Sequence, residues 1–172
     1  MHALTQSWRS GALALALLVV PLAGCGSLLP GASTNGNNSL TVAQLPDVGD
    51  VTADQALSQA RDHFRNSDYG YSAALYQRYV SLSPKDPQGY VGLAASYDRL
   101  GRFDLSDRAY QTLLQVGGGT AQYYNNVGYS YLLRGNLTAA LTNFRSAHKL
   151  DPNSVVIENN LQILSNAYAA KA

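Results

Sequence analysis

The sequence predicts an all-α protein, a superhelix of three helix-turn-helix repeats closed by a C-terminal capping helix. Three observations predict it. Similar residue types recur at a period of about 34 residues, as in the turn series Ser67, Gly101 and Gly135. Within each period the small residues keep their columns, Ala60, Ala94 and Gly128 on first helices and Ser72, Ser106 and Ala140 on second ones, and so do the aromatic residues Tyr97 and Tyr131, and Tyr76, Tyr110 and Phe144. Apolar positions follow one another at spacings of three and four, as a helix with one buried face requires. Small side chains on both contact faces let paired helices approach closely, and large ones fill the spaces between pairs. A stack then buries a core that no single repeat could.

The first element has a different composition from the rest. Arg9 precedes the apolar run Gly11 to Val20, which is short for a membrane span of roughly 20 residues but has the length of the apolar region of a secretory leader. Residues 1–24 are therefore expected to be a signal peptide. Leu22-Ala23-Gly24-Cys25 resembles the bacterial lipobox. That resemblance implies cleavage before Cys25 and a covalent diacylglycerol and N-acyl chain on its sulfur and amino group. With Gly26 in place of an aspartate, it also implies a lipid-anchored protein on the periplasmic face of a bacterial outer membrane. An ordinary leader that happens to contain a cysteine is the alternative. Cys25 is the only cysteine, so no intramolecular disulfide can form. Residues 25–51 are rich in Gly, Ser, Asn and Pro without a sustained period and read as a lipidated flexible tether spanning roughly 25 to 30 Å.

The repeats follow at about 53–86, 87–120 and 121–154, with helices expected over about 52–66, 70–82, 87–100, 103–116, 121–133 and 137–150. Tyr124, Val127, Gly128, Tyr131, Ala140, Phe144, Ala147 and Pro152 fall in the signature columns of one repeat, and that pattern resembles the tetratricopeptide (TPR) repeat, with Tyr for Trp and Val for Leu. The copies one and two periods upstream keep the small and aromatic columns. Gly117-Gly118-Gly119 stands where a proline usually separates repeats and serves as a helix stop. A capping helix is expected at 154–169, where Asn159-Asn160-Leu161 repeats Asn125-Asn126-Val127. The TPR domain is thus read as 52–172.

Charge and chemistry narrow the function. The chain of 172 residues carries 12 Lys and Arg against 11 Asp and Glu, and its arginines are scattered among aspartates. Nucleic acid, which calls for a concentrated basic surface, is not an expected partner. His63 stands in a packing column, His148 lies on a second helix without a carboxylate or thiol at ligand spacing, and no phosphate-binding glycine loop is present. No catalytic or metal site, cofactor or small-molecule substrate is expected, and the chain reads as a non-enzyme. A TPR stack presents the inner face of its first helices as a groove for a protein partner. The candidate groove residues are Arg61, Gln88, Asp98, Gln122, Asn125, Asn126, Tyr129, Asn159 and Asn160. Chaperone-type TPR domains clamp a terminal carboxylate with lysines, an arginine and asparagines; here Leu57, Arg61, Gly92, Gln122 and Asn126 hold those positions, so that clamp is essentially absent. Paired amides can instead donate to and accept from the backbone of an extended peptide; the asparagines either do this or simply face solvent.

Lipobox, tether, three repeats and capping helix, together with the segments NNVGYSYLLRGNLTAALTNFRSAHKLDPNS and ENNLQIL, resemble the TadD-like TPR lipoproteins of the tight-adherence (Tad/Flp) pilus system. The resemblance implies an outer-membrane adaptor that assists assembly of the secretin and the pilus, with a secretin or another pilus-assembly component as partner. A TPR scaffold that docks cell-wall hydrolases or synthases at the outer membrane is the alternative.

Overall fold

The structure, a computed structural model, describes residues 44–171. Among them run seven α-helices: α1 (Ala53–Arg65), α2 (Tyr69–Leu82), α3 (Pro87–Arg99), α4 (Phe103–Gly117), α5 (Ala121–Leu133), α6 (Leu137–Leu150) and α7 (Val155–Ala169). The all-α superhelix is as expected, with boundaries within about two residues of those the periodicity gives. Each helix packs on the next in sequence, and α1 on α3, α3 on α5 and α5 on α7. The odd-numbered helices therefore form one continuous row, with α2, α4 and α6 behind it.

Local chemistry sets the helix ends. Thr52 and Gln55 form a reciprocal capping box on α1, Asp86 caps α3 ahead of Pro87, and Thr120 and Asn136 cap α5 and α6. Each cap supplies an acceptor to an otherwise unpaired N–H of the first turn. Asp86 also accepts from Tyr79 Oη at 2.5 Å, so one carboxylate starts α3 and fixes a buried ring of α2. The three turns inside the repeats share one conformation, with Ser67, Gly101 and Gly135 at φ of 62°, 70° and 73°. Gly118 ends α4 at φ 73°.

The close approach within and between pairs is visible atom by atom. Ala60, Ala94, Ser72, Ser106 and Ala140 have no exposed surface, and Ser72 Oγ donates to the carbonyl of Ala60 at 3.0 Å. A Cβ on Gly128 would lie 2.7 Å from the ring of Phe144, and one on Gly92 only 2.0 Å from the ring of Tyr76. The tyrosines are packing residues, since Tyr76, Tyr79, Tyr97 and Tyr110 are 5 or 6% exposed. Tyr76, Tyr97 and Tyr110 belong to a cluster that runs from α1 to α4, and a second cluster gathers Leu137, Ala140, Phe144 and Leu164.

Two features bound the stack. Ile157 and Leu164 of α7 are buried, whereas Glu158, Gln162, Ser165 and Asn166, on the face where a further second helix would pack, are exposed. A polar outer face of this kind closes a repeat array. At the other end, the expectation that the tether is independent of the fold is corrected over its last residues. Leu45, Val48 and Val51 pack against the first core cluster, and Asp50 approaches Arg78 to 3.5 Å. Three apolar side chains at a spacing of three find an uncovered strip on α2 and α4, so the segment becomes a strap. The leader, Cys25 and the rest of the tether lie outside the described residues.

Two substitutions test this packing. Gly128→Leu drives a branched side chain into Phe144 and should destabilise the fold by about 1 to 3 kcal/mol or more through overpacking, despite the gain of about 0.8 kcal/mol in helix propensity; an unchanged thermal midpoint would refute the contact. Ser67→Gly removes a left-handed cost of about 1 to 2 kcal/mol while adding about 0.4 to 1 kcal/mol of unfolded-chain entropy. Its melting temperature should rise or hold, and a clear fall would mean that the hydrogen bond from Tyr69 Oη to Ser67 Oγ outweighs the backbone.

Candidate functional site: the concave face

Two adjoining clefts open along the row of odd-numbered helices. The first, of about 340 Å³, is lined by Arg61 of α1, Gln88, Val91 and Gly92 of α3, and Gln122 and Tyr123 of α5, with Tyr76 in its wall. The second, of about 250 Å³, is lined by Gln122, Asn125 and Asn126 of α5, Val156 and Ile157 of α7, and Asp151 and Ser154 just before α7. Gln122 borders both. Arg61 Nη2 donates to Gln88 Oε1 at 2.6 Å. Burial pushes the Tyr76 hydroxyl up from its ordinary value, with the nearby Arg61 opposing that rise. Because Gly92 has no side chain, the ring of Tyr76 reaches the cleft from the row behind.

The expected groove residues divide into four groups. Arg61, Gln88, Gln122 and Asn126 line the clefts. Asn125 lines the second but is only 8% exposed, and its Oδ1 accepts from Asn160 Nδ2 at 2.8 Å; this asparagine pair ties α5 to α7. Tyr129 is half-buried against the second core cluster, and Asn159 is exposed on α7. Thr120, Tyr123 and Val156 were not expected in the clefts, although Val156 stands one period after Gln122 and the repeat could have pointed to it.

Asp98 is a correction. It is 5% exposed and sits inside the joint between the second and third repeats. Its Oδ1 accepts from Ser106 Oγ at 2.6 Å and Ser130 Oγ at 2.5 Å, and its Oδ2 from Tyr110 Oη at 2.9 Å. Arg134 donates to Ser130 Oγ at 2.8 Å and forks onto Asp107 at 2.9 and 2.5 Å. At the end of α3 the chain turns into α4 behind it while α5 packs alongside, so a position that helical period places on the inner face is enclosed by two neighbours. Burial raises the Asp98 carboxyl above the ordinary range; Ser106, Ser130, Tyr110 and Arg134 pull it partly back. Tyr110 is pushed up, by burial first and by Asp98 second.

The tetratricopeptide repeat family matches residues 57–106 and 91–155, and the chain belongs to that family. Among relatives, the cytochrome c-type biogenesis protein CycH of Bradyrhizobium diazoefficiens is 29% identical over 153 residues. The match covers 84% of this chain but 36% of CycH. In fold the chain is similar to the first TPR domain of human RPAP3, at a TM-score of 0.61 and 20% identity, covering 69% of this chain and 94% of that one. It is also similar to SycD, a type III secretion chaperone of Yersinia enterocolitica, in a complex with a peptide of the translocator YopD, at 0.58 and 19%, covering 73% and 95%.

The buried carboxylate gives a pH prediction with a definite sign. A carboxyl whose folded pKa is raised ionises first in the unfolded chain, so its contribution is most favourable below the unfolded value of about 3.9 and is lost as pH rises through the folded one. In thermal melts from pH 7 down to about 4, wild type should gain stability relative to Asp98→Asn. A relative loss on acidification would mean that the three hydroxyl donors outweigh burial.

Proposed function

We infer that the protein is a lipid-anchored adaptor, held through Cys25 on the periplasmic face of a bacterial outer membrane, which binds a partner protein on its concave face during assembly of a Tad/Flp-type secretin and pilus. The observation that carries the binding part is the open row of odd-numbered helices with its two clefts. Supporting it, the similarly folded SycD takes a peptide of another protein. The anchor and the pilus role rest on the lipobox-like Leu22 to Cys25 and on the resemblance to the TadD-like lipoproteins. A second reading is favoured by the similarity to CycH: an adaptor in cytochrome c assembly, with the same groove and a different partner.

One experiment with two arms separates these readings. Cells fed radioactive palmitate should label the wild type and not Cys25→Ala, and an unlabelled wild type would overturn the anchor. A photo-crosslinking amino acid at Asn126, on the second cleft, should capture a secretin or pilus component in the same cells. Capture of a cytochrome or a haem-attachment protein would instead establish the second reading.

A further inference from the structure

The concave face carries very little charge. On α3, α5 and α7 the side chains that border the clefts are amides, apolar groups and the phenol of Tyr123, with Thr120 and Ser154 just ahead of α5 and α7. Arg61 is engaged by Gln88, and beside it Asp54 and the ion pair of Asp62 with Arg65 leave this end with no net charge. At the other end Asp151 borders the second cleft, which disfavours an anionic occupant there.

The helix register makes this neutrality informative. The second residue of each odd-numbered helix faces the groove, in the column Asp54, Gln88, Gln122 and Val156. At that position the helix dipole favours a carboxylate by about 0.3 to 1 kcal/mol. Only α1 has one. In α3, α5 and α7 helix stability is forgone for Gln, Gln and Val, which suit a ligand that brings no charge. An amide can donate to and accept from a peptide group together. A helical occupant has already satisfied its own backbone and would leave those amides unmatched. Neighbouring helices stand about 8 to 10 Å apart. Side chains two residues apart in a strand, about 7 Å, or three apart in a polyproline II segment, about 9 Å, leave the same side of the chain, so either pair can enter adjoining clefts.

We propose that the two clefts take two apolar side chains, two or three residues apart, from one extended and uncharged segment of a partner protein, whose backbone bonds to Gln122 between them. This rests on the adaptor reading and adds the chemistry of the partner. Acidic tails are disfavoured by Asp151 at the second cleft and meet no net positive charge at α1, and basic segments meet no acid among the cleft-lining residues of α3 and α5.

The test selects a phage-displayed random heptapeptide library on the full chain in detergent. Enriched sequences should be depleted of Asp, Glu, Lys and Arg and carry two apolar residues at the stated spacing. Binding should fall by at least about tenfold on Gln122→Glu, which can still accept from a peptide N–H but no longer donates to a peptide carbonyl and so leaves that carbonyl unpaired, and on Val156→Asp. Both changes place an acid in the first turn of a helix, where it does not weaken the fold, and unchanged melting temperatures check this. An enriched charge, no enrichment, or equal binding to both variants overturns the proposal. Equal binding combined with capture of a cellular partner leaves the adaptor reading standing. Neutral peptides lost on both variants, with no partner crosslinked in cells, uphold the groove chemistry and overturn the adaptor reading.

Discussion

Close approach of helix to helix, down to the thickness of one aromatic ring on bare backbone, is the constraint on which this molecule depends. Tyr76 over Gly92 and Phe144 against Gly128 are its tightest instances, and the buried Ala and Ser columns repeat it at lower contrast. Interiors are close-packed, so such contacts have little room to drift. Packing and site are also the same event. Gly92 admits Tyr76, and a ring that completes the core thereby becomes a wall of the first cleft.

Between the second and third repeats the apolar core gives way to a polar joint. Asp98 is held by three hydroxyls from α4 and α5, and Arg134 connects that group to Asp107 of α4 while its guanidinium lies 4.9 Å from the ring centre of Phe103 and 5.0 Å from that of Tyr131. Burying a carboxylate is costly unless it is thoroughly hydrogen-bonded, and here it is. Apolar contact is non-directional, whereas these bonds have fixed geometry. They set the rotation of the third repeat on the second from the start of α4, at the opposite end of that helix from the glycine run. The corresponding contact one repeat earlier is lighter, with Ser72 and Ser96 2.9 Å apart and Ser96 bonded to the carbonyl of Gly92.

The fold was legible because its information is periodic. Columns of Ala, Ser and Gly, and turns at Ser67, Gly101 and Gly135, repeat the same demand three times, so an error in one copy is corrected by the others. The groove was legible in part. Arg61, Gln88, Gln122 and Asn126 follow from helical phase alone, but phase says nothing about enclosure by elements distant in sequence. That is why Asp98 was placed on the surface, and why the bond between Asn125 and Asn160, 35 residues apart, was not foreseen. The strap escaped for a different reason: Leu45, Val48 and Val51 lie within a stretch whose Gly, Ser and Asn content reads as linker, and three apolar residues do not establish a period.

The strap also determines how the domain bears mechanical load. Tension arriving along the chain ahead of Gln44 meets Leu45, Pro46 and Val48, lodged beside Ala74, Tyr97 and Leu105, before it can reach the capping box of α1. The first repeat is thus shielded from being unzipped turn by turn from its end. Force is delivered instead onto α2, α3 and α4, whose side chains line the strap's seat.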